Sequence, residues 1–96
     1  MHVLVTYDVS TTTPAGERRL RRVAQACVNF GQRVQKSVFE CSVSEMQYEA
    51  LKRALLALID VEVDSLRFYR LATPKEQFSE CFGRQQDVDF EGPLVV

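Results

Sequence analysis

The chain has 96 residues, 46% of them hydrophobic and 26% charged, which describes one packed domain and excludes both tandem catalytic domains and a disordered linker. Its formal net charge of -1 hides an asymmetry: six basic against three acidic residues give +3 over residues 1–40, and six against ten give -4 over residues 41–96. The single histidine excludes a zinc site built on several histidines, and the three scattered cysteines lack a CxxC pair and suit a reducing cytoplasm.

The opening residues His2 to Val9, rich in Val, Leu, Thr and Tyr, predict a largely buried strand that ends in the polar loop Ser10-Thr11-Thr12-Thr13. Thr13 is a good N-cap and Pro14 suits the first helical position, so a helix is expected to start there. Leu20, Val23, Cys27 and Phe30 recur at helical spacing as an apolar stripe, Arg18, Arg19, Arg21 and Arg22 fall mostly off it, and Gly31 is expected as the residue that closes the helix. Arg33 to Val43 is dense in β-formers and reads as a hairpin with its turn near Gln35 to Ser37. Ser44 and Gln47 match a capping box, and Met46, Ala50, Leu51, Ala54, Leu55, Leu58 and Ile59 supply the apolar face of a second helix. Asp64 to Leu71 reads as a fourth strand with Leu66 and Phe68 on one side and Arg67 and Tyr69 on the other.

The order β-α-β-β-α-β predicts an α+β, ferredoxin-like fold: a four-stranded antiparallel sheet covered on one face by two helices. A thin core and an uncovered sheet face both favour a homodimer formed through the sheets. Residues 1–96 are expected to form a single domain, with 73–96 as an extension whose Leu94-Val95-Val96 end adds a strand and docks on the partner subunit. No apolar run approaches the roughly 18 residues of a membrane span, and a cytoplasmic, membrane-free protein is expected.

Asp8 follows a buried strand and precedes a polar loop, a place where a carboxylate can bind Mg2+ while water and a phosphate complete the shell. A dimer that brings two Asp8 carboxylates to its axis would let them share the ion; the alternative is that Asp8 caps the Thr11–Thr13 loop. Four arginines within two helical turns repel one another unless a polyanion or water answers them, so the run reads either as a phosphate-binding face or as a solvated one. Tyr7, Phe39, Phe68 and Tyr69 read as core or interface rather than base-stacking platforms, and Ser37 has no base assigned to it that would make it a nucleophile.

Tyr7-Asp8-Val9, the arginine-rich helix, the run from Gly31 through Arg33-Val34-Gln35-Lys36-Ser37-Val38-Phe39-Glu40 to Cys41, the run Asp64 to Leu71 and the closing Asp87 to Val96 together resemble the CRISPR-associated protein 2 family, over nearly the whole chain and in order. The resemblance implies a ferredoxin-like homodimer of the prokaryotic adaptive immune system that acts in spacer acquisition. It implies a Mg2+-dependent endonuclease on RNA or double-stranded DNA, with Asp8 as catalytic residue and metal ligand. It also implies a scaffold that bridges two dimers of the CRISPR-associated protein 1 integrase and holds DNA by its backbone. Phosphate contacts would fall on Arg18, Arg19 and Arg22, with Arg33 beside them, and Tyr7, Ser37 and Phe39 match the supporting motif. With one candidate acid per chain, turnover is expected to be slow. Two further readings stand beside the nuclease: a scaffold without catalysis, and a small-molecule regulatory domain of the same fold, which leaves the arginine run unexplained.

Overall fold

Alternation along the first strand sets the geometry of the whole sheet. In this computed structural model, which describes residues 1–71 and residue 82, the elements are β1 (His2–Asp8), α1 (Pro14–Val28), β2 (Gly31–Gln35), β3 (Val38–Ser42), α2 (Glu45–Leu58) and β4 (Ser65–Leu71). The strands form one antiparallel sheet in the order β2-β3-β1-β4, the ferredoxin-like arrangement that the element order predicts. Val3, Val5 and Tyr7 of β1 are buried on the helix side, together with Phe39 and Cys41 of β3. Registers Leu4↔Tyr69 and Thr6↔Arg67 place those residues on the opposite face, which no element of the described residues covers. The expected C-terminal strand falls on 73–96 and, residue 82 aside, lies outside the described residues.

Local chemistry starts both helices. The Thr13 hydroxyl accepts the Gly16 amide at 3.0 Å with Pro14 at the first position of α1, and Ser44 and Gln47 exchange both bonds of a capping box at the start of α2, at 3.1 and 2.8 Å. The hairpin turn lies at Lys36 and Ser37, and a bulge at Val34, between Arg33↔Phe39 and Gln35↔Val38, twists β2.

Two expectations shift. Met46, 83% exposed, and Ala50 lie on the solvent side while Tyr48 is buried, so the buried face of α2 runs through Tyr48, Leu51 and Leu55. The Tyr48 ring meets Phe68 of β4 edge-on at 5.9 Å, a packing that a phenol makes and an unbranched thioether does not. Gly31 does not close α1, whose C-cap is Asn29. It begins β2 opposite Cys41, where a Cβ would collide with the Glu40 carbonyl oxygen and the Cys41 sulfur. Glycine is required there by close approach of two strands.

Candidate functional site

Asp8 is the last residue of β1, paired with Ser65 of β4 and exposed. The Tyr7 amide donates to the Ser37 carbonyl at 3.1 Å, and the Tyr7 hydroxyl donates to the Lys36 carbonyl at 3.3 Å. These bonds tie the hairpin turn to the end of β1. Tyr7, Asp8, Val9, Thr11, Leu20, Lys36 and Ser37 thereby line an open cleft of about 240 Å³. Burial, with the nearby Cys27, pushes the Tyr7 phenol up to about 12 against a smaller opposing pull from Arg33. It therefore stays protonated and acts as a donor that fixes the turn.

Among the described residues, no hydrogen bond or ion pair engages the Asp8 carboxylate. The loop that follows is capped by another acid. Asp64 accepts the Ser10 amide at 2.9 Å and the Asp60 amide at 2.8 Å. It also takes the Arg19 guanidinium through Nε at 2.9 Å and Nη2 at 3.4 Å. Its side chain is 0% exposed. Burial would raise this carboxyl, but the bonds from Arg19 and from the Asp60 and Ser10 amides outweigh it and hold the group below its ordinary value. Sequence reasoning places Asp64 only as the edge of a strand. An acid standing directly before a strand, in a chain whose first helix is rich in arginine, is the signal that could have marked it.

The arginines divide. Arg18, Arg21 and Arg22 are exposed on α1, while Arg19 turns inward to Asp64. Arg33 is 8% exposed, with its guanidinium 5.3 Å from the centre of the Phe39 ring on the helix side of the sheet. The sites named from sequence thus separate into Tyr7, Asp8 and Ser37 around the cleft, Arg18 and Arg22 on the helix surface, the half-buried Arg19 paired with Asp64, and Arg33 and Phe39 within the packed interior. Arg21, off the apolar stripe, completes the exposed set.

No group of three or more His, Cys, Asp or Glu side chains stands together among the described residues. The donor set around Asp8 is one carboxylate with the hydroxyl-bearing Thr11 and Ser37 beside the same cleft. Such a set fits Mg2+ in its usual mode, with one or two carboxylates, several waters and a substrate phosphate, and does not fit an all-protein cage. Cys27 and Cys41 lie apart from this chemistry. Burial pushes their thiols up to about 12 and about 11, the second thiol adding to the effect at Cys27, so they behave as small apolar core groups.

The family model described as CRISPR associated protein Cas2 matches residues 1–79. The chain is similar to the CRISPR-associated endoribonuclease Cas2 1 of Moorella thermoacetica, 57% identical over 96 residues and covering 100% of both. It is 52% identical over 95 residues to the CRISPR-associated endonuclease Cas2 of Halalkalibacterium halodurans, covering 99% of both. The crystal structure of Streptococcus pyogenes Cas2 at pH 6.5 superposes with a TM-score of 0.77 at 53% identity, covering 86% of this chain and 100% of that one.

Proposed function

Because this chain belongs to the CRISPR-associated protein Cas2 family, we propose that it works in spacer acquisition as a sheet-to-sheet homodimer and a slow, Mg2+-dependent endonuclease on RNA or double-stranded DNA. The observation that carries this reading is the Asp8 carboxylate, exposed at the mouth of the cleft and unengaged among the described residues. The names of the relatives, endoribonuclease and endonuclease, support the reaction class. Two Asp8 residues, one from each copy, would hold the ion. A Mg2+ ion held there would polarise a phosphodiester and lower the pKa of a bound water.

The chain's own residues do the rest. Arg18 and Arg22 contact phosphates and hold the strand, Tyr7 keeps the Lys36–Ser37 turn against the β1 exit, and the Ser37 hydroxyl borders the cleft where a phosphate would lie. In the hydrolysis itself a water oxygen bonds to phosphorus and gives up a proton to solvent, the ester P–O bond breaks, and the leaving oxygen takes a proton from solvent and departs as a hydroxyl. No helix among the described residues is long and apolar enough to cross a membrane, and the proposed place of action is the cytoplasm, where foreign nucleic acid is met.

A second reading has its own support. With one candidate acid and no larger cluster among the described residues, the exposed arginines serve equally a scaffold that holds duplex DNA and bridges two dimers of the CRISPR-associated protein 1 integrase. The small-molecule reading fares worse, since it leaves the exposed arginines of α1 unexplained. The deciding experiment compares wild type with Asp8→Asn on RNA and duplex DNA, with Mg2+ and with chelator. Loss of cleavage with binding retained is expected. Cleavage that survives the substitution refutes the catalytic reading and leaves the scaffold.

A further inference from the structure

The buried Asp64 stands at the same end of the sheet as Asp8, because its neighbour Ser65 pairs with Asp8 across β1 and β4. Ser10, whose amide Asp64 accepts, lies two residues beyond Asp8. The segment Asp8-Val9-Ser10 is therefore pinned at one end by the strand ladder and at the other by Asp64, with Val9 buried between. On the far side, a Cβ at Gly16 would run into the Ser10 carbonyl, so α1 packs directly on the same residue. The fork from Arg19 to Asp64 locks α1 in that position. A joint needed only for stability is served as well by apolar packing as by a buried ion pair, whereas directed bonds add orientation.

We propose that Asp64 is a positioning residue for Asp8: by holding the Ser10 peptide and Arg19 together it fixes the exit of β1 and presents the Asp8 carboxylate to a divalent cation in one direction. The inference rests on the reading of Asp8 as a metal ligand. It does not require that the protein cleave anything.

The test adds Mn2+ stepwise to the full-length, 15N-labelled protein and follows paramagnetic broadening of the Tyr7, Asp8 and Val9 amide signals. Wild type gives a midpoint, and Asp64→Asn is expected to raise it about tenfold, the scale on which outer-shell partners act. Leu51→Ala, which removes a fully buried side chain of α2, is expected to lower stability and leave the midpoint unchanged. Asp8→Asn is expected to abolish the broadening. A wild-type midpoint for Asp64→Asn, with broadening abolished in Asp8→Asn, overturns the positioning role alone. An equal rise in Leu51→Ala also overturns it, since loss of stability would then suffice. Broadening that survives in Asp8→Asn overturns the metal reading and this inference with it. If Asp64→Asn does not fold, Arg19→Lys, which keeps a cation but loses the fork, decides by the same criterion: a raised midpoint supports the role and an unchanged one refutes it.

Discussion

Replacing Asp64 by alanine removes an acceptor from two backbone amides and from the Arg19 fork in a single step. A hydrogen bond to a charged group contributes about 1.5–3 kcal/mol. The gross loss is offset because the carboxylate's own burial cost disappears and because Arg19, 20% exposed, regains water. The net expectation is about 3 kcal/mol, the lower end for breaking a buried pair. At an m-value of about 1 kcal/mol/M, the urea midpoint falls by about 3 M with m unchanged, measured at one fixed protein concentration because any dimer makes stability concentration-dependent.

The sign with pH follows from the direction of the Asp64 shift. Its carboxyl is held below the ordinary value of 3.8, so its stabilisation is complete above that value and is lost as pH falls through the native-state value. The gap between wild type and Asp64→Ala is therefore full at pH 7 and narrows below about pH 4. A loss under about 1 kcal/mol, the worth of one ordinary hydrogen bond, or a gap that widens in acid would refute the account of this carboxylate as the joint between α1, β4 and the β1 exit.

Gly31→Ala is expected to cost at least the roughly 1–3 kcal/mol of overpacking, read by thermal unfolding, because the new methyl meets the Glu40 backbone and the Cys41 sulfur; a neutral effect would contradict the close approach of β2 and β3. In a Cys81→Ser background, Cys27 and Cys41 should resist a thiol reagent at pH 8 while the protein is folded and react once it is denatured, since their thiols sit at about 12 and about 11. Reversing charge at Arg18 and Arg22 should weaken duplex DNA binding and flatten the slope of log affinity against log salt by about 0.9 for each phosphate that is no longer neutralised. An unchanged slope would place the nucleic acid elsewhere.

What could be read from sequence was local. The Thr13 cap, the Ser44–Gln47 box, the hairpin turn near Gln35 to Ser37 and the alternation in β1 each depend on neighbours a few residues apart, and together they specify the β-α-β-β-α-β order. What escaped depends on distance along the chain. Asp64 meets Arg19 and Ser10 across 45 and 54 residues, and its place before the β4 strand marks the acid without naming those partners. Helical periodicity shows that four arginines leave the apolar stripe but not that Arg19 alone leans toward an acid. Met46 and Tyr48 lie two positions apart, and only the presence of Phe68 across the layer decides which is buried. Gly31 resembles a helix stop because its true constraint, the Cys41 strand beside it, follows ten residues later.

The central claim is that one Asp8 from each of two chains meets at a shared seam and binds a divalent cation there. Counting bound Mn2+ by electron paramagnetic resonance, on protein whose oligomeric state is fixed by sedimentation, tests it most directly. The account predicts a dimer that takes one ion per two chains and loses it in Asp8→Asn. A monomer, or an ion that remains when Asp8 has been replaced, would contradict it.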